Sequence, residues 1–316
     1  MIFINLTKKE YAKTIDAVSL GLMLQIALTQ ISPSLLQKTL NIFAKIGLKA
    51  GTVVYTNAGL VLSCFVYALI FILPAIFIKA YTPKTSCVIG NNIFFPKKPI
   101  TVIIGTIGVI SLTAYLSALA KIFLEALGLG IIEPQYNVPS HISSIILFAI
   151  YTSVIPAIVE EILFRKVILN RILPYGKIPA VIISALLFSA MHCNPSQFLY
   201  TFAGGIILAL LALKTKSIIF PMCIHFANNL LSVGYLLLYN FASEKVYTIT
   251  VATVDTTVKI FGVIFLFKQL KKITLSSILN QRKELDFSLK KSTIRILFVM
   301  YILYALYISA EWTYII

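Results

Sequence analysis

SHISSIILFAIYTSVIPAIVEEILFRKVILN, residues 140–170, decides how the whole chain is read. It is apolar almost throughout, and as one helix it would run roughly 46 Å, well beyond a hydrocarbon core of about 30 Å. Yet Glu160, Glu161 and Arg165 sit inside it. A charge at that depth costs at least a few kcal/mol, so such groups mark functional sites by default. Pro156, one turn earlier, removes a backbone donor and is expected to bend or loosen the helix there.

Working outward, the rest of the chain follows the same pattern. Of its 316 residues 59% are hydrophobic and 12% charged, against about a quarter charged in a soluble domain. Mean hydropathy is +0.93. Apolar runs at about 15–31, 57–79, 100–124, 140–170, 179–193, 197–213, 217–239, 249–267 and 292–312 meet the length criterion for membrane spans, the fifth and sixth being short. The fold expected is all-α: a polytopic transmembrane helical bundle of about 8–9 spans, with a catalytic core of about four helices. It reads as one membrane domain over 1–316, with the core at 140–240 and a basic cytoplasmic linker at 268–291. The setting expected is the cell membrane, crossed many times.

The formal net charge of +16 is concentrated in connecting segments. Lys79, Lys84, Lys97 and Lys98, then Arg171 and Lys177, then Lys214 and Lys216, then Lys268, Lys271, Lys272, Lys283, Lys290 and Lys291 fall in alternate loops, which assigns those loops to the cytoplasm. Glu125 and Glu133 fall on the opposite side. Lys38, Lys45 and Lys49 break the alternation, and their segment, SLLQKTLNIFAKIGLKAG, has the spacing of a helix lying along the interface. No soluble basic domain is present, so nucleic acid is excluded as a partner in favour of lipids. Cys64, Cys87, Cys193 and Cys223 form no CxxC pair and imply no disulfide framework.

Three spans carry the chemistry. Glu161 and Arg165 are four apart and can pair on one helix face, whereas Glu160 points about 100° away and lacks a local partner, as a general base would. Phe188 and His192 share a face in the fifth span, and His225 and Asn229 share one in the seventh. Taken singly, each is as well explained by a salt bridge or inter-helix hydrogen bond. Together they supply an acid/base, two imidazoles and an amide donor. Asn228 is the spare amide, His141 reads as structural, and Asp255–Lys259 as an ion pair. Gly205 and Ala209 form a small-residue packing face.

The motifs EExxxR (Glu160–Arg165), FxxxH (Phe188–His192) and HxxxN (His225–Asn229) occur in order and resemble those of the CPBP family, the CAAX proteases and bacteriocin-processing enzymes. The resemblance covers roughly residues 140–240. It implies an intramembrane endopeptidase acting on a peptide precursor or a membrane-anchored protein. In that reading Glu160 and His192 activate water, His225 and Asn229 stabilise the oxyanion, and Glu161 and Arg165 hold the site together. Family members are commonly described as metalloproteases, and a metal-free glutamate mechanism is also argued. His192, His225 and Glu160 would be the ligands of a zinc ion, in which case the same glutamate could not freely serve as base. The rival reading is a non-catalytic membrane protein, an immunity factor or transporter, that uses the buried polar cluster for binding. Two related halves would favour a transporter, and none is visible.

One geometric demand follows. Glu160 lies late in one span and His192 late in the next, antiparallel one. They meet only if the fourth helix is long or tilted, or the fifth stops short.

Overall fold

In lipid a backbone amide must be satisfied within its own segment, which leaves the helix as the form for isolated apolar runs. The computed structural model describes residues 8–83, 87–126, 137–270 and 288–313, with side chains to 268 and to 305 in the last two segments, and the regular elements there are helices. The helices are α1 (Lys8–Lys45), α2 (Val53–Tyr81), α3 (Pro99–Ala126), α4 (Ile142–Tyr175), α5 (Lys177–Ala190), α6 (Pro195–Thr215), α7 (Ile219–Phe241), α8 (Glu244–Leu270) and α9 (Ser292–Thr313). Seven of them, α1 to α4 and α6 to α8, are long and apolar enough to cross a membrane. The protein is a multi-pass membrane protein of the all-α class.

One expectation is corrected. The segment after the first span is not a separate element: α1 runs on without a break through Pro33 to Lys45. Helix α5 is short, as the sequence suggested. Its 14 residues extend about 21 Å, short of the hydrocarbon thickness. Lys84, Glu133, Lys271, Lys272 and Lys283, and with them most of the 268–291 linker, lie outside the described residues, as does the side chain of Glu311.

The main core gathers Ile15, Val18 and Leu22 of α1, Ile78 of α2, Leu163 and Ile168 of α4, Ile183 and Leu187 of α5, and Leu297 of α9. Outward-facing Phe65, Ile76, Ile122 and Phe267 are more than half exposed, as lipid-facing side chains are. Close crossings use small residues. At Gly108 of α3 a Cβ would sit 2.1 Å from the Val258 carbonyl oxygen of α8 and 2.7 Å from Gly262 Cα. Gly205 likewise approaches Ala185 and Phe188, as its spacing with Ala209 suggested.

A polar clamp closes one end of the bundle. Asn170 Oδ1 accepts from the Val88 and Ile89 amides at 3.2 and 3.0 Å, and its Nδ2 donates to the Ile89 carbonyl at 2.9 Å. Gly90 in turn exchanges backbone hydrogen bonds with Lys216 and Ile218, at the turn into α7.

Candidate active site

The charged part of α4 is not a uniform α-helix. Ile150–Val154 and Ile162–Leu169 are π-helical, and they flank the α-helical Ile155–Glu161. The first wide turn immediately precedes Pro156, which has no N–H for the carbonyl four residues back and would clash with it. A π turn accommodates that ring, and such turns cluster at functional sites. Glu160 and Glu161 therefore sit on a short rigid turn between two widened ones.

The two glutamates divide as their spacing suggested, with additions from other helices. Glu161 Oε2 lies 3.2 Å from Arg165 Nε, and both side chains are wholly buried. Its other oxygen, Oε1, lies 3.1 Å from His225 Nδ1 on α7. Glu160 has no local partner but does have a remote one. Tyr67 of α2 donates its hydroxyl to Glu160 Oε1 at 2.6 Å. Glu160 Oε2 has no hydrogen-bond partner and lies 3.8 Å from His225 Nε2.

Helix α5 stops at Ala190, and a tight turn with Cys193 at positive φ leads to Asn194, whose side chain caps α6 by accepting from the Ser196 amide at 2.9 Å. His192 thus lies just past the end of a helix too short to cross a hydrocarbon core. This is the short fifth helix that convergence required. His192 Nδ1 lies 2.8 Å from the Phe188 carbonyl. A carbonyl only accepts, so Nδ1 carries the proton and Nε2 is an acceptor in the neutral ring. The same logic at Glu161 places a proton on His225 Nδ1 and leaves Nε2 toward Glu160.

Phe188 is the hub. Its ring meets His192 at 5.1 Å, His225 at 5.8 Å and Phe164 at 5.2 Å between centroids, all near edge-on, and the Arg165 guanidinium lies 4.5 Å above it. That contact gives the buried guanidinium a counterpart on its face, since its Nη atoms have no hydrogen-bond partner.

All of this opens on a cavity of about 840 Å³. Glu160, His192, His225, Asn229 and Tyr67 line it, and Ser117 and Lys121 of α3 form part of another side. Asn228 also lines it and is not a spare, since it donates to the Tyr200 hydroxyl at 2.7 Å.

Residues 142–231 match the family model described as type II CAAX prenyl endopeptidase Rce1-like. The match supports the CPBP, or CAAX-protease, family. No curated protein and no solved structure matches the chain. The matched segment contains Glu160, Glu161, Arg165, His192, His225 and Asn229.

The expected zinc set was tested on the donors. Two imidazoles and one carboxylate on one cavity wall are suitable types. Among the described residues, however, no three His, Cys, Asp or Glu side chains are grouped to hold a metal ion. One nitrogen of each ring is held, by the Phe188 carbonyl and by Glu161, which leaves each Nε2 free, as in a metal-ligating histidine. As placed, His192, His225 and Glu160 are not drawn together into a three-ligand site. Outside the matched segment, Tyr67 is a site residue that sequence reasoning missed. One tyrosine in an apolar span has no spacing signal, and only the packing of α2 on α4 reveals it.

Proposed function

We propose that the protein is an endopeptidase of the CAAX type that hydrolyses a peptide bond in a membrane-associated or peptide-precursor substrate, within the cell membrane. The observation that carries this reading is the position of Glu160. It is a buried carboxylate with one oxygen anchored, the other unpartnered, and two imidazoles from other helices beside it on a cavity large enough for several residues of peptide.

The chemistry balances with these groups. Water attacks the scissile carbonyl carbon while Glu160 Oε2 takes one of its protons, with His192 Nε2 as the second acceptor facing that water. The carbonyl π pair moves to oxygen, giving a tetrahedral oxyanion. Asn229 Nδ2 donates to that oxyanion, and His225 Nε2 does so when its ring carries both protons. Collapse re-forms the carbonyl and breaks the C–N bond, and the proton held by Glu160 passes to the leaving amine. Glu161 keeps His225 in the orientation this needs, and Arg165 neutralises Glu161.

The test uses purified protein in lipid nanodiscs with a fluorescence-quenched farnesylated CAAX peptide and a panel of unmodified membrane-peptide probes. Cleavage of any probe should be abolished by Glu160→Ala, His192→Ala and His225→Ala, with protein levels and melting unchanged. Full cleavage in any of the three overturns the proposed roles. Function in cells surviving Glu160→Gln would point instead to a binding protein.

A further inference from the structure

We infer that Tyr67, contributed by α2 outside the matched segment, is a positioning residue that aims the Glu160 carboxylate. The inference rests on the endopeptidase reading above and concerns the same site.

A glutamate side chain has three rotatable bonds, and a free one would sample many orientations. Two features fix this one. Its Oε1 accepts the Tyr67 hydroxyl at 2.6 Å, a short, charge-assisted contact. The phenol ring that delivers that hydroxyl is itself held, stacked on Phe71 at 4.9 Å and edge-on to Tyr151 at 6.1 Å. With Oε1 anchored, Oε2 is the oxygen left toward His225 Nε2, 3.8 Å away. A general base needs a lone pair aimed at one point rather than spread over a cone. Tyr67 also donates to a carboxylate that is almost wholly buried and would otherwise have neither oxygen satisfied.

The consequence is that the matched segment is not sufficient. A helix well before it in the sequence completes the geometry, and α2 packs directly along α4 to do so.

Tyr67→Phe keeps both ring contacts and removes only the hydroxyl. With the cleaved probe peptide, kcat should fall about 10- to 100-fold, the range of one hydrogen bond to a charged group, with KM within about twofold. Replacing Tyr67 by 3-fluoro- and 3,5-difluorotyrosine should change kcat progressively with phenol acidity, which a purely structural ring would not produce. Infrared difference spectra of wild type minus Glu160→Gln isolate the Glu160 carboxyl bands without any substrate, and those bands should shift in Tyr67→Phe. Unchanged bands, or a kcat within twofold of wild type, overturn the inference. Cleavage that persists in Glu160→Ala would instead overturn the endopeptidase reading, whatever Tyr67 does.

Discussion

Replacing Arg165 by Met removes the guanidinium that pairs with Glu161 while keeping an apolar side chain of comparable length. Arg165 and Glu161 are both wholly buried and 3.2 Å apart. Breaking a buried pair from one side leaves an uncompensated charge and costs about 3–5 kcal/mol. Loss of the guanidinium over Phe188 adds about 1–2 kcal/mol for a desolvated cation–π contact. His225 Nδ1, 3.1 Å from Glu161, still faces that carboxylate and offsets part of the first figure, so we expect about 3–5 kcal/mol in all. The discriminating variant is the double substitution Glu161→Gln with Arg165→Met, which removes both charges. It should recover most of the stability, because the desolvation penalty disappears together with the attraction. It should not recover cleavage, because His225 Nδ1 has lost its carboxylate. Equilibrium unfolding in a mild detergent, followed by circular dichroism, measures the stability, and peptide cleavage measures the rest. A double variant as unstable as the single one would refute the ion-pair reasoning. A fully active double variant would refute the role given to Glu161.

Other outcomes follow from the same geometry. Asn170→Leu should lose about 2–4 kcal/mol, since it strands the Val88 and Ile89 amides at about 1–3 kcal/mol each with some recovery by water, and limited proteolysis should first cut near residue 88. Gly108→Ala should destabilise the α3–α8 crossing strongly, because the new methyl would lie 2.1 Å from a backbone oxygen; Gly234→Ala, with nothing within 4 Å, should be nearly neutral in the same melting assay. Purified active protein should contain well under one zinc per chain by elemental analysis and keep its cleavage rate after dialysis against a chelator. A stoichiometric metal, or loss of cleavage restored by zinc, would overturn the reading of the donor geometry. Phe188→Leu should lower kcat more than it lowers stability, since it frees His192, His225 and Arg165 at once.

The sequence was most legible where one helix face decides the contact. Glu161–Arg165, Phe188–His192 and Asp255–Lys259 all meet at four-residue spacing, at 3.2, 5.1 and 2.6 Å respectively. The long apolar runs likewise gave the helices their places. Less legible was anything set by how helices cross. Tyr67 on Glu160 and Asn228 on Tyr200 each join residues far apart in sequence, and no periodicity within one helix encodes such a pair. The length of α5 was also ambiguous, because FSAMHC continues the apolar pattern past the point where the chain turns at Cys193. The run-on of α1 escaped notice because Lys38 and Lys45 break the apolar run while the helix continues beneath them.

The widened turns on either side of Glu160 and Glu161 bear on how this helix tolerates insertion and deletion. A π turn is an α-helix carrying one residue too many. Deleting one residue within 162–169 would let the segment relax to ordinary helix with the faces before and after it nearly in phase, because the wide turn already holds the extra residue. Asn170 would still clamp its loop and both glutamates would stay near the cavity wall, whereas the same deletion in a regular helix would turn them by about 100°. The spare residue in each wide turn therefore acts as a phase adjuster. It lets one continuous helix satisfy a clamp at its end and a catalytic face at its middle that a regular 3.6-residue repeat of the same number of residues could not both serve.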